Sequence, residues 1–288
     1  MRYHFPSVLV RQLRDYGWAE QWGLEPTFQE FLSHLWELMD EIKRVLTDYG
    51  TIWINLGDTY NGSKVGNNDP KLHSAITTNS GVLKIKQETI PDKCLCLIPH
   101  RFAIGCIDRG FIIRNDIVWG KRNSMPESVT DRFSKKHEYM FFMAKSQEYY
   151  FDMDSIRDTI KTPVVTGNKA SEIYGKNSGV NQFSEGERAW GNADLGRNPG
   201  SVSDFWDIPT QPSKEKHYAS YNTKLIDKPI IAGCPKGGII LDPFCGTATT
   251  GCRAIELGRK FIGIEGNPEY VKIANKKIEP FVISQQLF

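Results

Sequence analysis

The sequence predicts an α/β fold built on a doubly wound sheet, and three observations carry that prediction. A long amphipathic helix is followed at once by a buried strand. The stretch from Gly238 onward alternates strand, glycine turn, helix, strand and helix. Of 288 residues, 40% are hydrophobic and 24% charged, which suffices for one large core and the composition of an ordinary globular chain. One principal domain is expected over 1–288, with polar regions set into it at 61–91 and 162–204.

Residues 27–49 place Phe28, Phe31, Leu32, Leu35, Leu38, Met39, Ile42 and Leu46 at helical three-and-four spacing, with charges on the opposite face. Thr27 and Glu30 form a capping box at the start, and Gly50 supplies the stop. TIWINLGD then reads as a buried strand ended by Gly57 and Asp58. Residues 61–91 are rich in Asn, Gly, Ser and Lys and lose periodicity, the mark of a polar insertion. CLCLIPHRFAIGCIDRG predicts a helix, and FIIRNDIVWGK, EYMFFMAK and EYYFD predict three strands. Region 162–204 interleaves Gly and Asn with Lys169, Lys176, Arg188, Trp190 and Arg197. After SDFWDIPTQP come a helix through NTKLIDKPIIAG, a strand GGIILDPF, a helix TTGCRAIELG, a strand KFIGIEG and a helix PEYVKIANKKIEP. Trp53, Trp206 and the phenylalanines of EYMFFMAK are assigned to the core.

A net charge of +2 and a pI near 8.1 mean that contacts to nucleic acid must come from local basic patches. The six cysteines show no CxxC spacing, so no metal site is expected and a reducing, cytoplasmic compartment fits. No window approaches the ~18 apolar residues that span a bilayer, so no membrane partner is expected.

The densest chemical signal is IILDPFCGTATTGCRAIELGRKFIGIEGN, residues 239–267. A hydrophobic strand ends at Asp242, a glycine turn follows, a helix opens near Thr249, and a second strand ends in Glu265. Such a unit lays a nucleoside across the carboxyl ends of two neighbouring strands, the second carboxylate accepting the ribose hydroxyls. Glu265 stands 19 positions after Gly246, the interval a βαβ unit needs. The turn Gly246-Thr-Ala-Thr-Thr-Gly251 lacks the triple-glycine approach that a pyrophosphate requires, and a phosphate-free nucleoside tolerates it. A plain βα turn, with glycines chosen for backbone angles, is the competing account of any lone glycine loop. Asp242, the turn and Glu265 taken together favour the site.

LDPFCGTATTG resembles the cofactor motif of the β-class DNA amino-methyltransferases, in which the motifs are circularly permuted so that cofactor binding follows catalysis along the chain. WINLGDTY, the stretch RNDIVWGK to EYYFD, SDFWDIPTQP and the run from NTKLIDKPIIAG into LDPF also resemble that family, in its order and over nearly the whole length. The resemblance implies a Rossmann-like fold of the S-adenosylmethionine-dependent methyltransferases, circularly permuted, with a mixed seven-stranded sheet and the strand entering the loop at its centre. It implies S-adenosylmethionine as cofactor, held by Lys224, Leu225, Asp242, Pro243, Phe244, Gly246, Thr247, Thr249, Thr250, Glu265 and Asn267. It also implies that 162–204 is a target-recognition loop region.

Two departures stand out. Ala248 replaces the family's second turn glycine, which is tolerable with ordinary dihedrals. The catalytic tetrapeptide, Ser or Asp followed by Pro-Pro-Tyr, is Ser7-Val8-Leu9-Val10 here, and the strand before it is shortened to a few residues after Met1. An upstream gene start is one account of that shortening.

Amine methylation requires a base swung out of the duplex and held in line with the methyl group. In the family the Ser or Asp and the next carbonyl accept hydrogen bonds from the amine while the tyrosine stacks on the base. Ser7 keeps one such acceptor, or is merely a terminal serine. Asp58 is the second catalytic candidate, as an acceptor orienting the amine or as a strand-end cap. Arg114, Lys121, Arg122, Arg132, Lys135, Lys136 and His137, with Trp119 and Trp190, are the candidate DNA contacts, since phosphates need cations and an extruded base needs a flat partner. The expected function is site-specific methylation of double-stranded DNA at cytosine N4, which Ser7 favours. Adenine N6 methylation and a catalytically impaired DNA-binding homologue are the alternatives. A cognate restriction endonuclease and a homodimer are the compatible protein partners.

Overall fold

The structure, a computed structural model, describes residues 3–4, 9–10, 22, 25, 27–61, 89–124, 127–157, 202–210 and 221–286, the side chains of 3–4, 9–10 and 282–286 excepted. Two compact units result, one of residues 1–151 with 204–288 and one of 152–203. Most of the second unit, most of the polar insertion at 61–91 and nearly all of the recognition region at 162–204 lie outside the described residues.

The first helix, α1 (Phe28–Val45), begins where the capping residue foretells: Thr27 Oγ1 accepts the Glu30 N–H at 3.2 Å. Its stripe of Phe28, Phe31, Leu32, Leu35, Met39 and Ile42 is buried, and Leu38 is half-buried against the same cluster. The stop falls earlier than Gly50. Leu46 turns extended, its buried side chain following the stripe into the core, and Gly50 closes the next turn by donating to the Thr47 carbonyl at 2.9 Å.

Strand β3 (Thr51–Leu56) is buried at all six positions, as its unbroken apolar run requires. It lies in a five-stranded ladder of order β2 (Leu9–Val10), β3, β5 (His137–Ala144), β4 (Ile112–Gly120), β6 (Phe205–Asp207). Only β5 runs antiparallel to its neighbours, so β2, β3, β4 and β6 end at one edge, where β5 begins. A second ladder is wholly parallel, with β7 (Ile239–Asp242) between β1 (Tyr3–His4) and β8 (Lys260–Gly263). The sheet is therefore mixed, as expected, and among the described residues eight strands fall in two ladders where seven in one were expected. The division falls in the first ten residues, which give β1 to one ladder and β2 to the other.

EYYFD forms no strand. Its Tyr150 N–H bonds the Tyr49 carbonyl at 2.9 Å, while Tyr149 and Phe151 pack their rings on Phe142. The aromatic alternation reflects packing against a sheet face rather than a place in a ladder. Helix α2 (Ile98–Asp108) crosses α1 closely enough that a Cβ at Gly105 would stand 2.3 Å from the Trp36 ring. Helix α3 (Lys224–Gly233) joins the ladders: Leu225 packs among Trp53, Ile117 and Trp119, whereas Ile226 and Ile230 pack on Ile240 and Ala254. Helices α4 (Thr249–Glu256) and α5 (Pro268–Gln286) follow β7 and β8. Among the described residues no helix is long and apolar enough to cross a membrane.

Candidate functional site

Strand β7 delivers Asp242 to the carboxyl tip of the parallel ladder, where its side chain is 3% exposed. Its Oδ1 accepts the Phe244 N–H at 3.1 Å and its Oδ2 accepts the Thr250 hydroxyl at 2.6 Å, so the carboxylate braces both sides of the glycine turn. Gly246 adopts φ 50° and Ala248 φ 58°, ψ 38°. The dihedrals of Ala248 are left-handed, not the ordinary ones that would make it easily tolerable, at a cost of about 1 kcal/mol for a residue with a Cβ. The bond from the Ala248 N–H to the Cys245 carbonyl at 2.7 Å closes the turn and offsets that cost.

The neighbouring tip belongs to β8. Asp242 pairs with Gly263, and two further bonds, Ile264 N–H to the Asp242 carbonyl at 2.9 Å and Cys245 N–H to the Ile264 carbonyl at 3.0 Å, lace the turn to the chain beyond. The strand itself ends at Gly263, two residues before Glu265, because the backbone from Ile264 onward is committed to the turn and to capping α5. Glu265 Oε1 accepts the Asn267 N–H at 2.8 Å, and Asn267 Oδ1 accepts the Glu269 N–H at 2.9 Å. The charge of Glu265 acts on Asp242. Burial pushes the Asp242 carboxyl up to about 7; the Thr250 and Phe244 hydrogen bonds oppose this and the charge of Glu265 adds to it. The Cys245 thiol is pushed up to about 12, by burial first and then by the charges of Asp242 and Glu265.

The other residues expected at this site take different parts. Pro243 and Thr249 are half-buried, and Phe244 is 39% exposed with its ring 5.4 Å from Trp22, which stacks on His34. Thr247 is buried and accepts a hydrogen bond from Lys277 of α5 at 3.2 Å. Lys224 is exposed at the start of α3, whereas Leu225 is fully buried in the core. Sequence reasoning missed Trp22, Lys277 and Tyr221, whose hydroxyl is hydrogen-bonded to that of Thr250. None of the three belongs to a local spacing pattern.

A second polar group lies where β3 and β4 end and β5 begins. Asp58 is 9% exposed, and its Oδ1 accepts the Thr59 N–H at 2.8 Å and the Ile98 N–H at 3.1 Å. It thus caps α2 from 40 residues away, because Leu97, at the cap position, has no side-chain acceptor. Its Oδ2 is buried and has no partner among the described residues. Ser7 lies outside the described residues.

The basic residues divide by burial. Lys121 is 7% exposed, ion-paired to Glu138 and 4.3 Å above the Trp119 ring, which removes its charge from the surface that phosphates reach. Trp119 is likewise a correction: it is 2% exposed and donates its indole N–H to the Ile208 carbonyl at 2.7 Å, so it is core and no platform for a base. Arg132 bonds Glu127 at 2.6 Å and lies 4.0 Å from the Tyr60 ring centroid; Arg122 is exposed and paired to Asp207. Burial lowers the Lys135 ammonium below its ordinary range, against the pull of Asp58, Glu138 and Glu127. Arg114 and Lys136 are exposed, and His137 is half-buried beside the Tyr139 hydroxyl at 3.3 Å. Trp190 lies outside the described residues.

The family model described as DNA methylase matches residues 9–276. The chain is 36% identical over 267 residues to the Type II methyltransferase M.Cfr9I of Citrobacter freundii, covering 93% of this chain and 77% of that protein. It is 35% identical over 270 residues to the Type II methyltransferase M.XycI of Xanthomonas campestris pv. cyanopsidis, with 93% and 77% covered. Among solved structures, the PvuII DNA methyltransferase (cytosine-N4-specific) superposes with a TM-score of 0.61 at 14% identity, covering 98% of this chain and 83% of that one, a likeness of fold.

Proposed function

The chain belongs to the DNA methylase family, and from that premise we propose that it transfers a methyl group from S-adenosylmethionine to the exocyclic amine of a base extruded from double-stranded DNA. The observation that carries the cofactor half is Asp242 at the tip of β7 and Glu265 two residues beyond the tip of the adjacent parallel β8, with the glycine turn bonded to the chain between them. The donor set fits the group. Asp242 is a buried carboxyl with raised proton affinity, which a cation beside it offsets, and S-adenosylmethionine carries both a sulfonium and an ammonium. Bound there, it supplies an electrophilic methyl on positively charged sulfur.

The chain's own residues hold and orient. Glu265 offers its carboxylate to ribose hydroxyls, Asp242 to the cationic part, and Phe244 its half-exposed ring to an apolar face. The buried Thr247 and Thr250 keep the turn rigid, so that little ordering is left for binding. The parallel strands of the other ladder end beside Asp58, and β2, which carries the last two residues of Ser7-Val8-Leu9-Val10, pairs with the end of β3. Target amine recognition belongs at that edge. Arg114, Arg122, Arg132, Lys135, Lys136 and His137 are the proposed phosphate contacts, and 162–204 the proposed recognition region.

Cytosine N4 is the proposed target, on the strength of Ser7 in the tetrapeptide; adenine N6 is the alternative. A partner endonuclease and a homodimer remain part of the same proposal. A tritium-transfer assay on unmethylated duplex DNA, followed by digestion to nucleosides, tests it. N4-methylcytosine is expected. Cofactor binding without transfer favours the impaired homologue to which Val8-Leu9-Val10 points.

A further inference from the structure

The carboxylate of Asp242 is reached by a chain of hydroxyls that no spacing in the sequence foretells. Thr250, at the start of α4, is 1% exposed and donates to Asp242 Oδ2 at 2.6 Å, and the Tyr221 hydroxyl stands within hydrogen-bonding reach of the same Thr250 oxygen. A threonine hydroxyl has one proton. An ionised carboxylate only accepts, so that proton is committed to Asp242 and the Tyr221 O–H must donate to Thr250. With Asp242 ionised, the direction runs from Tyr221 to Thr250 to Asp242. Tyr221 also packs its ring against two core clusters, which holds its hydroxyl in place.

We propose that Tyr221 is a positioning residue for the cofactor site: through Thr250 it strengthens the hydrogen bond to Asp242 and keeps that carboxylate ionised and fixed for a cationic ligand. The proposal rests on the cofactor reading of the turn and adds to it a residue from the segment leading into α3. Two physical points support it. A hydroxyl that accepts one hydrogen bond is a better donor in the next, so the terminal carboxylate gains from a group it does not touch. The remaining ionisable groups facing Asp242 work against ionisation or are neutral: Glu265 beyond β8 repels it, and the Cys245 thiol in the turn keeps its proton. From α5, Lys277 donates to Thr247. Thr250 is the side chain whose hydrogen bond favours the charged form, and the Tyr221 hydroxyl stands directly behind it.

The test is calorimetric titration of S-adenosylmethionine into wild type, Tyr221→Phe, Thr250→Val and the double variant, between about pH 6 and pH 8.5, across the titration of Asp242. Phenylalanine keeps the ring and its packing and removes one oxygen. Tyr221→Phe is expected to weaken binding about 3- to 10-fold near pH 7, the worth of one hydrogen bond. The loss should shrink toward high pH, where the carboxylate is ionised in either protein, and the midpoint of the pH dependence should move upward. In the Thr250→Val background, Tyr221→Phe should add nothing, because the relay is already cut. Unchanged affinity in Tyr221→Phe, or an equal weakening at every pH, overturns the relay while leaving the cofactor site standing. A wild-type chain that binds no S-adenosylmethionine overturns the cofactor reading and the relay with it.

Discussion

At the residue scale, Asp242, the proposed binding group, carries a cost in stability. Its carboxyl is pushed up to about 7 by burial, helped by Glu265, from an ordinary value of 3.8. Between those two pH values the native state holds a proton that the unfolded chain has released. Stability from this group is therefore full below about pH 4, falls as pH rises through about 7, and stays lost above. Asp242→Asn keeps the shape and does not titrate. Urea denaturation of the ligand-free protein should show the variant gaining on wild type as pH rises, by on the order of 2–4 kcal/mol at pH 8, with the two close near pH 4. Ala248 is a second local cost at the same turn. Its left-handed backbone is invisible in a sequence, where alanine signals ordinary helix, and it arises because the turn must reverse within three residues of Gly246 to start α4.

At the element scale, the helices were legible where a stripe or a cap is local. The Thr27 cap and the buried face of α1 follow from spacing alone, as do the strand, turn and helix around Asp242. The parts that sequence did not yield are made by partners far apart in the chain. Asp58 caps α2 across the polar insertion, and Lys121 meets Glu138 only because β4 and β5 pair antiparallel with Gly120 opposite His137. Arg259 is of the same kind. It is 6% exposed, and its guanidinium donates to the carbonyls of Ile231 and Cys234 at the end of α3 and of Leu257 at the end of α4. A cation there satisfies orphaned carbonyls and complements the helix dipoles. Arg259→Met keeps much of the side-chain volume and loses every donor. It should destabilise the fold by about 3 kcal/mol, read as a lower denaturation midpoint, with little change in the helix content of the folded form. An unshifted midpoint would show that water or backbone adjustment takes over those carbonyls.

At the scale of the whole molecule, the two ladders assign the work. The parallel one, with β7 at its centre, carries the carboxylate pair, and the mixed one gathers Asp58 and most of the basic residues at the edge where its parallel strands end. Helix α3 packs on both, and Thr51 of β3 donates to the Gly233 carbonyl at the end of α3 at 3.0 Å. A chain so tied can align a cofactor at one strand tip with a base at another, as in-line transfer demands. Cofactor binding as proposed depends on Asp242 and Glu265 bordering one nucleoside pocket. Calorimetric titration of S-adenosylmethionine into Asp242→Ala and Glu265→Ala, beside wild type, tests this most directly. Binding by wild type and its loss in both variants is the predicted result; wild-type affinity retained in either would contradict it.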